Sequence, residues 1–210
     1  AGVSVRAFRG VRRFGGATAG AALVGFALFA WVATQDPRQA FFSYLTAFAF
    51  VVSIQLGALA LLMISHLSDA SWTVPIRRLV EAVASGLMIA PLLFLPVLFG
   101  MEHLYAWTHE AFEQSSLPWL PGKGAYLSSR AFFARAALYF AVWIALVVLL
   151  RRWSLAGDRQ TGRAPDPGFA RAVSAGGLPP LGLTLTFAAF DWLMSLEPHW
   201  FSSMYGIYFF

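Results

Sequence analysis

The chain has 210 residues, 59% of them hydrophobic and 12% charged, with a net charge of +5 and no cysteine. Soluble domains carry about 25% charged residues, so this much apolar surface has no use in a water-soluble core and points to a bilayer. Within this chain the lack of cysteine excludes thiolate-held iron–sulfur clusters, haem attached through CxxCH, thiol catalysis and disulfides.

A bilayer asks for about 20 mostly apolar residues at 1.5 Å each. Five stretches meet that length, at 15–33, 41–65, 79–99, 132–150 and 178–194, and a sixth begins at 201–210. The expected fold class is all-α, a polytopic integral membrane helical bundle forming one membrane domain over 1–210. The chain opens at Ala1 without methionine and stops inside an apolar run at Tyr208-Phe209-Phe210, so a fragment is expected.

The first span follows Arg6, Arg9, Arg12 and Arg13. It is longer than a signal-peptide core of about 7–15 residues, and Trp31 and Gln35 follow it in place of a small-residue cleavage site, so it reads as a retained anchor. Gly16 and Gly20, with Ala17, Ala21 and Gly25, have the small-xxx-small spacing that lets a neighbouring helix approach closely. Tight packing of this helix is expected. His66 ends the second span, where it either caps the helix at the interface or serves as a proton relay or quinone-headgroup contact. Glu81 follows Arg77 and Arg78 by one turn, a spacing for a local ion pair, with proton uptake as the alternative. Pro91 and Pro96 predict a bend in the third span.

The connection 100–131 mixes Glu102, His103, Trp107, His109, Glu110 and Trp119 and reads as a docking surface at the membrane edge. Its Gly122-Lys123-Gly124 lacks the GxxxxGK[ST] spacing of a phosphate loop. The connection 151–177, rich in Arg, Gly and Pro, reads as a mobile linker facing lipid. Arginines gather on alternate connections: residues 6–13, then Arg77 and Arg78, then 151–171. The opposite set holds Arg38, Lys123, Arg130 and Arg135 with Glu102, Glu110, Glu113 and Glu197. By the positive-inside rule the N-terminus is cytoplasmic. Topology therefore accounts for the positive charge without nucleic acid. Trp31, Trp72, Trp119, Trp153 and Trp200 suit the two interfacial belts.

The most specific text is TFAAFDWLMSLEPHW at 186–200. Asp191 is the one acid within its span, and an ionised side chain there costs about 2.5–3.5 kcal/mol on insertion scales, so it should face the bundle interior. Thr184, Ala188, Asp191 and Ser195 fall at steps of four, three and four, one helical face. Such a stripe suits proton transfer through hydrogen-bonded water; a buried, hydrogen-bonded acid is the plainer reading. Glu102, His103, His109, Glu197 and His199 lie on the predicted outer side, as interfacial residues or as a proton exit or partner contact.

The segments 41–72, 122–143 and 186–210 together resemble the ActF-type membrane subunits of bacterial alternative complex III, members of the NrfD-like, polysulfide-reductase-like family. The resemblance runs over nearly the whole chain. It implies two four-helix bundles plus peripheral helices, of which this sequence would cover about the first half, in a quinol:cytochrome c or quinol:oxidase oxidoreductase of the bacterial cytoplasmic membrane. It implies partners: a sister ActC-like NrfD subunit, an iron–sulfur subunit and c-type haem subunits, which would carry those cofactors. A quinol or menaquinol contact and a proton path are the roles it implies here, with Asp191 of the DW motif carried over first, and no independent activity. Where relatives read Asp-Pro-His-Trp, this chain reads Glu197-Pro198-His199-Trp200.

Two other classes stand beside this reading. A membrane cytochrome b needs two histidines converging from facing helices, but His66 is predicted inside and His103, His109 and His199 outside. A secondary transporter also uses broken helices and intramembrane acids, and would work without companions. A structural scaffold holding other subunits in the bilayer is the remaining alternative.

Overall fold

The computed structural model describes residues 11–68, 70, 73, 75–108, 126–159 and 167–208. The described residues are helical, and five helices are long and apolar enough to cross a membrane. Those segments are 15–35, 37–67, 77–99, 129–156 and 167–196.

The helix α1 (Val11–Gln35) is followed at once by α2 (Pro37–Leu67). The turn between them is sharp because Asp36 leaves helical geometry and its side chain accepts the amide of Gln39 at 3.1 Å, while Pro37 occupies the first position of α2, where no N–H is needed. At the other end of α2, the backbone and hydroxyl of Ser68 both donate to the Ile64 carbonyl. Ser68, not His66, therefore caps this helix.

The third span is two helices, α3 (Arg77–Ser85) and α4 (Ala90–Phe99), joined by a 3-10 turn at Gly86–Met88. The break falls before Pro91, which supplies no amide for the preceding turn but fits the first turn of a new helix. Pro96 lies inside α4 without ending it. Gly86 at the break lets the Gln55 side chain lie close, since a Cβ there would be 2.3 Å from the Gln55 amide nitrogen and would push that side chain aside. Beyond it come a one-turn helix, α5 (Met101–Leu104), then α6 (Ser129–Arg159) and α7 (Pro167–Trp192). The expected linker at 151–177 is corrected here: residues 151–159 extend α6 and residues 167–177 form the first turns of α7. Arg151, Arg152, Arg159 and Arg171 lie on these helices, a pattern that hydropathy alone reads as loop. The last apolar run adds α8 (Tyr205–Tyr208), seated on α7 where Gly206 meets Thr186.

Four spans close into a bundle, with α2 against α3–α4 and α7, and α6 against α7 and the 3-10 turn. Aromatic side chains fill its centre: Trp192 lies 4.7 Å from Phe94, 5.5 Å from Phe140 and 5.7 Å from both Phe48 and Trp143. Large rings of this kind bury about 150–250 Å² each and prefer tilted or edge contacts. Outside the bundle, α1 leans on α2 through Phe29, whose ring is 5.5 Å from Phe41 and 5.0 Å from Tyr44. Its small-residue face, expected to pack tightly, meets no other helix among the described residues. A Cβ at Gly15, Gly16, Gly20 or Gly25 would meet nothing within 4 Å.

Candidate functional site

The buried face of α7 carries Ser174, Gly177, Leu181, Thr184, Ala188 and Asp191, at alternating steps of three and four, with Ser195 continuing it in the next turn. Such spacing holds one face toward the bundle. Pro179 and Pro180 leave the helix intact; the Thr184 hydroxyl bonds back to the Pro180 carbonyl at 2.7 Å. Polar groups on this face gather toward its two ends.

At the end nearest Asp36, Asp191 is 1% exposed and accepts three hydrogen bonds. Arg135 on α6 donates through Nε at 2.8 Å and Nη2 at 2.9 Å, a bidentate pair, and the Tyr139 hydroxyl donates at 2.6 Å. The remaining guanidinium nitrogen donates to the Tyr126 carbonyl at 2.9 Å, and the guanidinium carbon sits 3.9 Å from the Tyr126 ring centre. Arginine suits the place because its planar fork matches a carboxylate and stacks on an aromatic face. Burial and the nearby Asp191 charge push the Tyr126 and Tyr105 phenols well above the usual tyrosine range, so both stay neutral. The Tyr105 hydroxyl donates to the Trp192 carbonyl at 3.0 Å, and the Ser195 hydroxyl donates to the carbonyl of Asp191. Arg135 corrects the sequence reading, which grouped it with loop charges. It lies six residues into α6 and compensates Asp191 directly.

At the opposite end, Glu81 binds Arg77 Nε at 2.8 Å and Arg78 Nη1 at 3.0 Å, and accepts the Ser154 hydroxyl of α6 at 2.8 Å. The same hydroxyl accepts Arg77 at 3.0 Å and Arg78 at 3.2 Å, while Arg77 stacks over Trp153 at 4.9 Å. The local ion pair expected at Glu81 is thus present and tied to a second helix. Beside it His66 Nδ1 is 3.3 Å from the Ser174 hydroxyl, its ring meets Trp153 edge-on at 5.3 Å, and its Nε2 is buried with no partner among the described residues.

From Asp191 to Ser174 is seventeen residues, about 26 Å along the helix, close to the bilayer's hydrocarbon thickness of about 30 Å. The two polar ends of this face are therefore nearly one hydrocarbon thickness apart along α7. Between the ends, on this face, Trp143 Nε1 donates to Thr184 at 2.9 Å. Over the ten residues from Thr184 to Ser174, about 15 Å, the helix presents Leu181 and Gly177, and Gly177 is packed against Leu146 and Met63. Hydrocarbon separates the two polar ends there.

Glu102, His103, Glu197 and His199 are exposed, with His103 stacked 5.5 Å from Phe41. His109, Trp72 and Trp119 lie outside the described residues. Trp31 and Trp200 are 63% and 49% exposed, as belt anchors should be, whereas Trp153 is half-buried against His66 and Arg77. Sequence reasoning missed Arg135, Tyr139, Ser154 and Ser174. A usable signal existed for Arg135: it is a base inside the predicted fourth span, near the same end as the acid in the fifth. No protein-family model and no curated protein matches this chain.

Proposed function

We propose that this chain is a multi-pass membrane subunit of a quinol:cytochrome c or quinol:oxidase oxidoreductase of alternative complex III type, in the bacterial cytoplasmic membrane with its N-terminus cytoplasmic. Iron–sulfur and haem chemistry then belongs to partner subunits, and a quinol or menaquinol contact to the assembled complex. Support for membership is the resemblance at 41–72, 122–143 and 186–210. Support for a role in moving protons is the Asp191 assembly, in which an acid inside a span is held by Arg135 and Tyr139 at one membrane edge. There Asp191 is the proton-exchanging group, Arg135 sets its charge balance and Tyr139 orients it. Glu81 with His66 forms the corresponding polar group on the other face.

The test uses the tagged full-length chain drawn from native membranes in mild detergent. Companion subunits carrying c-type haem, seen in a reduced-minus-oxidised spectrum, are expected. In that complex Asp191→Asn should lower proton release per quinol oxidised. A chain free of chromophores and companions overturns membership; unchanged oxidation and proton release overturn the proton role.

A second reading, a structural scaffold, is favoured by one observation. The Asp191 carboxylate is already matched by a guanidinium, and about 15 Å of apolar packing lies between Thr184 and Ser174. On that reading Asp191→Asn lowers assembly and leaves the proton yield per quinol intact.

A further inference from the structure

A groove opens on the apolar outer surface between α1, α2 and α4, with a cavity volume of about 270 Å³. It exists because α1 touches α2 through Phe29 and then stands off where Ala22 and Gly25 have no bulk. Along α2 it extends from Tyr44 to Gln55. Eleven steps of 1.5 Å make it about 16 Å long, half of the roughly 30 Å hydrocarbon layer. One end lies near the membrane edge at the Asp36 turn and the other near the middle of the bilayer.

Size and chemistry narrow the occupant. Running from the membrane edge to about the middle of the bilayer, the groove matches the length of one acyl chain in one leaflet. Apart from Tyr44 and Gln55, the lining side chains are hydrocarbon. The Tyr44 hydroxyl is engaged with the Leu93 carbonyl at 2.6 Å, tying α2 to α4 beside the groove. The flanks are continuous with the apolar surface that a bilayer would cover, where Leu23 is 73%, Phe50 66% and Ile54 50% exposed. The Gln55 amide oxygen, buried without a partner among the described residues, marks the inner end of the groove.

We propose that this groove holds one acyl chain of a phospholipid, lengthwise, in the leaflet on the Asp36 side, and that the chain completes the packing of α1 on the bundle.

The test places the full-length protein in phosphatidylethanolamine vesicles containing phosphatidylglycerol with a diazirine near the end of one acyl chain, and maps the label after photolysis. Several-fold more label is expected on residues 22–29 and 51–55 than at Leu138 and Leu183, which are 57% and 62% exposed on other helices. Gly25→Phe should abolish that excess, and Leu23→Phe, on the open side of α1, should keep it. Label spread evenly over all exposed apolar positions overturns the proposal. So does an excess displaced by a prenylated quinol, whose hydroxyl would seek Gln55. The wild-type pattern decides the matter even if Gly25→Phe fails to assemble.

Discussion

Replacing Arg135 with methionine removes two charge-assisted hydrogen bonds at 2.8 and 2.9 Å and leaves the Asp191 carboxylate, 1% exposed, with only the Tyr139 hydroxyl. Breaking a buried ion pair from one side costs about 3–5 kcal/mol, because the surviving charge is uncompensated. Replacing both partners by apolar residues of similar volume is often neutral or stabilising by about 1–4 kcal/mol. The cycle of Arg135→Met, Asp191→Leu and the double variant should therefore show each single change as harmful and the double as largely rescued. At about 2–4 °C per kcal/mol for a chain of this size, each single variant should lose at least about 6 °C in a detergent thermal-unfolding assay followed by tryptophan fluorescence. A cost below about 1 kcal/mol for Arg135→Met would place the pair in the class of solvent-screened surface bridges and refute the reasoning. A double variant no better than the worse single would refute the coupling.

Three further outcomes are expected. Tyr105→Phe removes the donor to the Trp192 carbonyl and should cost about 1–3 kcal/mol, since a buried acceptor is left unmade; because the phenol's pKa is raised by burial, its contribution is whole below about pH 10, the unfolded value, and is lost above it, so the variant should show a shallower fall in alkaline thermal scans. Gly177→Val would drive a Cβ to 2.5 Å from Leu146 and 2.6 Å from Met63, and overpacking of this kind costs about 1–3 kcal/mol in the same unfolding assay. Glu81→Gln weakens the link to Arg77, Arg78 and Ser154; that cluster is partly exposed, so the loss should stay near about 1 kcal/mol and shrink with added salt.

Much of the fold was legible because hydrocarbon imposes simple demands. A span must be apolar for its length, so the segments at 41–65 and 132–150 lie inside helices seen at 37–67 and 129–159. Periodicity alone identified the buried face through Thr184 and Asp191, since a polar group in a span has to turn inward. Glu81 and its arginines were legible because the pair is local in sequence.

What only the tertiary structure decided depends on which helix stands beside which. Arg135 and Asp191 are separated by 56 positions, and Ser154 reaches Glu81 across 73. No local rule joins such residues. The extra turns of α6 and α7 at 151–159 and 167–177 were hidden by their arginines, because hydropathy measures solvent preference rather than backbone hydrogen bonding. The fate of the small-residue face on α1 was hidden too: glycine spacing permits a close approach but cannot specify which neighbour makes it. Here Phe29 holds α1 against α2, and a groove is left beside Gly25.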